Sequence, residues 1–65
     1  MTIRVADIVE SIDDGGWYAR VDDYDPAAEK PTDAFKHVAD SRILATKSAA
    51  EAFARKKGAV RLMYP

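Results

Sequence analysis

Asp13-Asp14-Gly15-Gly16 separates two stretches of strand-forming residues, and no other feature restricts the fold as much. Glycine accepts positive φ without a Cβ clash and aspartate tolerates it, as a tight reversal between antiparallel strands requires. Before the turn, residues 2–12 are rich in β-branched side chains. Ile3 and Val5 alternate as in a strand, although Val5, Ile8, Val9 and Ile12 also fit helical spacing. The adjacent turn favours the strand, with a bulge expected near Ala6–Asp7 to reconcile the spacing. After the turn, Trp17, Ala19 and Val21 alternate with Tyr18, Arg20 and Asp22, the pattern of a half-buried strand. Residues 5–22 therefore read as a hairpin with Trp17, Ala19 and Val21 on one face and Tyr18, Arg20 and Asp22 on the other.

Residues 23–31 form an acidic stretch in which Pro26 and Pro31 disfavour a regular element. Thr32 or Asp33 can cap a short helix bearing Phe35, Val38 and Ala39; a third strand over the same segment is the rival reading. Arg42-Ile43-Leu44-Ala45 is a short strand candidate. Ser48-Ala49-Ala50-Glu51 has the form of a capping box, with Ser48 and Glu51 exchanging hydrogen bonds with each other's amides. A helix is expected from there through Lys57. Arg55, Lys56 and Lys57 suit the negative end of its dipole, and Gly58 suits a left-handed cap. Phe53 is the one large apolar residue on this helix, and its alanines would let it lie close on a sheet. Ala59, Val60, Leu62 and Met63 read as a closing strand. The expected fold is α+β in a single domain, residues 1–65. It comprises an antiparallel sheet of three to four strands with one main helix on one face, in the order β-β-(short α)-β-α-β.

A domain of 65 residues buries about 60% of the surface that its unfolded chain exposes, so it has little stability to spare. The chain has no cysteine and one histidine, His37, which leaves no disulfide and no Cys/His zinc cluster to supplement the core. Twelve of the hydrophobic residues are alanines. The larger core candidates are few, among them Ile3, Val5, Ile8, Val9, Ile12, Trp17, Val21, Phe35, Val38, Ile43, Leu44, Phe53, Val60, Leu62 and Met63. No apolar run approaches the ~18 residues of a membrane span, and the absence of cysteine fits a cytoplasmic protein.

No catalytic constellation emerges. His37 has no Cys or second His to share a metal with, and is expected to be structural or superficial. No serine sits in a glycine-flanked elbow, and Gly15-Gly16 lacks the spacing, lysine and following helix of a phosphate loop. The aspartates do not match a calcium loop. The chain therefore reads as non-enzymatic, with no cofactor and no metal.

Charge is the more informative property. Residues 1–41 hold ten acids and four bases, a net of −6, whereas residues 42–65 hold one acid and six bases, a net of +5. Asp13, Asp14, Asp22, Asp23, Asp25 and Glu29 lie on the expected hairpin and the loop after it. Gathered in space, they would imitate duplex phosphates and attract a Lys/Arg-lined groove on a larger nucleic-acid-binding protein. Tyr18 and Tyr24 bracket this stretch and would anchor such an interface. The plainer reading is a solubilising surface. The basic pole reads first as helix-terminal and solvated charge, and otherwise as phosphate contacts.

Three resemblances bear on function. Asp14-Gly15-Gly16-Trp17-Tyr18-Ala19-Arg20-Val21, with Ala45 through Ala54, resembles the arm-binding domain of tyrosine recombinases, a three-stranded sheet backed by a helix that binds DNA through the sheet. This implies DNA contact through Arg20, Arg42, Lys47 and Lys56, although here the sheet segment is acidic. The same hairpin is similar to the start of HicB-type antitoxins, whose partial ribonuclease-H fold runs strand, strand, strand, helix, strand. That similarity implies a toxin partner and no catalysis, with Leu62, Met63 and the closing strand available for pairing or a homodimer; residues 22–33 depart from the pattern as a long acidic insertion. The overall profile resembles small phage-encoded inhibitors, including anti-CRISPR proteins. The leading expectation is accordingly a protein-binding inhibitor whose acidic hairpin blocks a basic groove.

Overall fold

The computed structural model describes residues Met1–Pro65. Two nine-residue strands, β1 (Ile3–Ser11) and β2 (Gly16–Tyr24), form the expected hairpin. Its register runs unbroken from Ile3↔Tyr24 to Ser11↔Gly16, so the bulge expected at Ala6–Asp7 is absent. None is needed, because the helix face takes Ala6 and Ile8 while Val5 and Val9 belong to the opposite face. At the turn, Gly15 has φ 68°, its amide donates to the Ser11 carbonyl, and the Ser11 hydroxyl donates to Asp14. Gly16 meets a different demand. A Cβ there would lie 2.5 Å from the Leu44 carbonyl oxygen and 2.6 Å from Ile43 Cγ2, so only glycine lets the 43–44 segment cross so closely.

Residues 32–41 resolve in favour of the strand. Only Pro31–Asp33 forms a 3₁₀ turn, and Phe35–Asp40 is β3, antiparallel to β2 with a register shift opposite Val21/Asp22. The bulge leaves Val38 without a partner on β2. The strand expected at 42–45 reduces to one bridge, Leu44 to Trp17. Helix α1 spans Lys47–Lys56. Its cap is Thr46, whose hydroxyl accepts from the Ala49 amide at 3.1 Å, and not Ser48. The helix starts one residue before Ser48, so the capping box does not form, and Glu51 instead accepts from the Tyr64 hydroxyl. The C-terminus behaves as expected. Gly58 has φ 93°, and the Ala59 and Gly58 amides return to the Ala54 and Arg55 carbonyls in a Schellman motif.

Strand β4 (Arg61–Met63) closes the sheet, in the order β3-β2-β1-β4. It runs parallel to β1, with Ala6 opposite Leu62, so the sheet is mixed and not purely antiparallel. The crossover through α1 is the physical reason. A helix that returns the chain across the sheet makes the next strand repeat the direction of the one before it.

α1 covers one face. The core between them comprises Ala6, Ile8, Ala19, Val21, Ala50, Ala54 and Ala59, with Trp17, Leu44, Phe53 and Leu62 packed around it. Alanine on both sides allows the helix to sit close, and Ile8 and Val21 are the largest fully buried side chains. Several expected core residues lie outside instead: Ile12 is 87% exposed, Val60 78% and Phe35 52%, with Val38 and Ile43 also exposed. Ile12 falls in the turn, Val60 in the approach to a short edge strand, and Phe35 on the face the helix leaves bare. No helix is long and apolar enough to cross a membrane.

Candidate functional site

With α1 on one side only, strand alternation assigns Val5, Asp7, Tyr18, Arg20, Asp22 and Tyr24 to the bare face of the central hairpin. Phe35, His37 and Asp40 extend this face across β3, and Arg61 and Met63 across β4. Two shallow hollows result. One, of about 300 Å³, is lined by Val5, Tyr24, Phe35, Arg61 and Met63. The Tyr24 and Phe35 rings pack in it at 5.0 Å between centroids, and Val5 is buried beneath the cluster. The other, of about 610 Å³, is lined by Tyr18, Arg20, His37, Asp40, Ser41 and Ile43.

Asp22 sits between the hollows and is 7% exposed. Its Oδ1 lies 3.4 Å from His37 Nδ1 and 3.6 Å from Arg20 Nε. His37 Nε2 in turn lies 3.3 Å from Asp40 Oδ2, so the imidazole bridges two carboxylates. The Ser41 hydroxyl is engaged as well, accepting from the Ala19 amide and donating to the Arg42 carbonyl. No three His, Asp or Glu side chains converge as a metal-holding group.

The acidic residues singled out from the sequence do not gather into one field. Asp13 and Asp14 are exposed at the hairpin turn, while Asp25 and Glu29 follow the opposite end of β2. Nine residues of strand separate the two pairs by about 30 Å, most of the molecule's 37 Å length. Asp22 is buried and partnered. Asp23 points to the helix side, where Arg4 grips it through Nε (2.9 Å) and a terminal nitrogen (3.2 Å). The same guanidinium donates to the Lys57 carbonyl at 2.9 Å, which ties the sheet to the end of α1. The Arg4 hydrogen bond holds the Asp23 carboxyl below its ordinary pKa, and the same contact raises that of Arg4. Asp25 accepts from the Ala27 amide and shapes its own loop. The expectation of a continuous negative surface is thus corrected. Strand alternation sends Asp22 and Asp23 to opposite faces, and each meets a basic neighbour.

Tyr18 and Tyr24 fare differently, since both lie half-buried on the bare face. Of their companions, sequence reasoning missed Phe35, which it assigned to the core, and Asp40, which it did not single out. The signal was the two-residue spacing of Phe35 and His37, legible once 35–40 is taken as a strand, whereas the bulge at Val38 that brings Asp40 to the same face is not visible in the spacing. Of the basic residues, Arg20 lies on the bare face, Arg42 and Lys56 flank a groove on the helix side, and the Lys47 ammonium sits between the Trp17 and Tyr64 rings. Comparison with protein-family models, curated proteins and solved structures returned no match.

Proposed function

We propose that this chain is a non-enzymatic interaction protein that binds a larger protein through the bare face of its sheet. The single observation carrying this reading is the one-sided cover of the sheet. A helix protects one face, while the other presents aromatic and sulfur-bearing side chains around Tyr24, Phe35 and Met63 beside the polar cluster of Arg20, His37 and Asp40. Accessible aromatic side chains beside charged ones are features of a protein interface.

The finer reading is an inhibitor that occupies a basic, nucleic-acid-binding groove in the manner of the phage-encoded inhibitors. Its support is the carboxylates at the two ends of the hairpin, exposed Asp13 and Asp14 at one and half-buried Asp25 with exposed Glu29 at the other. They form two separate negative ends, not a row of mimicked phosphates. An antitoxin-like role is the alternative, favoured by the element order strand, strand, strand, helix, strand. A recombinase-arm role is less supported, because Asp7, Asp22 and Asp40 share the bare face with Arg20 and would repel phosphate.

The test is recovery of the partner from nuclease-treated host lysate by the tagged chain, followed by affinity measurements on variants. Tyr18→Ala with Phe35→Ala should lower affinity by about 2 kcal/mol or more if these rings are anchors. Retained affinity in that double variant refutes the bare-face site. Reversal of Asp13, Asp14 and Asp25 to Lys should weaken binding and its salt dependence if the partner groove is basic. A triple reversal without effect removes the inhibitor reading and leaves the antitoxin-like one. A salt-sensitive shift of duplex DNA by the chain alone would instead support the recombinase-arm role.

A further inference from the structure

The helix side of the molecule carries a third recess, distinct from the two on the bare face. It is a groove of about 540 Å³ between α1 and the 41–44 segment, with Leu44, Ala49, Ala52 and Phe53 along its floor and Arg42 and Lys56 at its rim. Lys57 adds a third cation, its ammonium 5.6 Å from the Phe53 ring centroid. No carboxylate lines the groove. Asp40, the nearest acid in the chain before it, is turned to His37 on the other face of the sheet. An apolar slot with a purely basic rim fits an apolar side chain flanked by carboxylates.

The chain itself presents such a group. Ile12 projects from the hairpin turn at 87% exposure, with exposed Glu10, Asp13 and Asp14 around it. None of these three carboxylates forms an ion pair within the molecule. Within one chain the tip does not fill the groove, because Ile12 stays exposed and is not among the residues that line it. We propose that the groove receives the Ile12–Asp14 tip of a second copy of this chain. Ile12 fills the slot over Phe53 and the alanines, and Asp13 and Asp14 meet Arg42 and Lys56. Burying Ile12 and Phe53 removes apolar surface that the monomer leaves in water, and opposite charge fixes the orientation. Self-association of this kind shares Asp13 and Asp14 with the partner binding proposed above but not the groove, so Arg42→Glu with Lys56→Glu, at residues outside the bare face, tests it independently of that binding.

Sedimentation velocity on the purified full chain at low salt, from micromolar to millimolar concentration, tests the proposal. The parent should associate reversibly, less so as salt rises. Asp13→Lys with Asp14→Lys, and separately Arg42→Glu with Lys56→Glu, should each raise the dissociation constant about tenfold or more. An equimolar mixture of the two charge-reversed proteins should restore association, because an acidic tip then faces a basic groove and a basic tip an acidic one. Ile12→Ser, at a side chain outside the core, should weaken association while leaving thermal unfolding unchanged, which separates a lost contact from a lost fold. A monomeric parent at millimolar concentration, association indifferent to both reversals, or a mixture that stays monomeric overturns the proposal. So does a monomeric parent whose groove saturates with a short Glu-Ile-Asp-Asp peptide, an outcome that assigns the slot to an acidic segment of a different protein.

Discussion

Ile8 stands on β1 and Ile12 in the turn just after it, and their substitution by alanine should have very unequal consequences. Ile8 is 2% exposed within the core beneath α1, whereas Ile12 is 87% exposed. Ile8→Ala removes the three carbons beyond Cβ, about 2.4 kcal/mol of transfer free energy at ~0.8 kcal/mol each. The cavity adds to this, since the alanines around Ile8 have no long side chains with which to fill it. A total of about 3 kcal/mol falls within the usual range for such truncations. A single core of this size contributes only ~3–5 kcal/mol of net stability, so the variant should sit at the edge of unfolding at room temperature. Ile12→Ala should change stability by less than about 0.5 kcal/mol. Urea unfolding followed by circular dichroism gives both values. The Ile8 variant should lose most of its folded baseline, and thermal midpoints should fall by ~4–8 °C per kcal/mol. An Ile8→Ala loss below about 1 kcal/mol, or an equal loss for the two isoleucines, would refute the placement of the core.

Three further substitutions test other parts of the fold. Gly16→Ala places a methyl group against the Leu44 carbonyl and should cost about 1–3 kcal/mol of overpacking, seen as a lower thermal midpoint. Thr46→Ala should cost about 1 kcal/mol through loss of the helix cap, whereas Ser48→Ala should be nearly silent; the reverse ranking would restore Ser48 as the cap. Asp23, held below its ordinary value of 3.8 by Arg4, stabilises the fold fully above that pH. Its contribution disappears as the pH falls through the depressed folded-state value. The parent's advantage over Asp23→Asn should therefore be constant near neutrality and vanish in acid, and parallel melting curves from pH 7 to pH 2 would contradict the pairing.

Local chemistry was legible where it acts within a few residues. The Asp-Asp-Gly-Gly turn, the alternation of β2 and the glycine cap at Gly58 are short-range demands of backbone geometry, and they fell where the sequence placed them. Helix α1 was legible for the same reason, but its start was not. Thr46 and Ser48 are both good caps, and the helix begins at Lys47, which gives the role to Thr46. The 35–40 segment carries both helical and strand spacing, and pairing with β2 selected the strand.

The sequence by itself determined the hairpin, the single capped helix and the segregation of charge along the chain. Only the tertiary structure decided where that charge stands in space. Two adjacent aspartates, Asp22 and Asp23, look alike in sequence, yet one is buried beside His37 and the other is clasped by Arg4 across the sheet. It also made alanine the substance of the core and turned β4 parallel to β1. The reason is common to all three. Side-chain alternation is local, but which face receives the helix, and from which end the last strand enters, depends on a crossover that joins residues far apart in the chain.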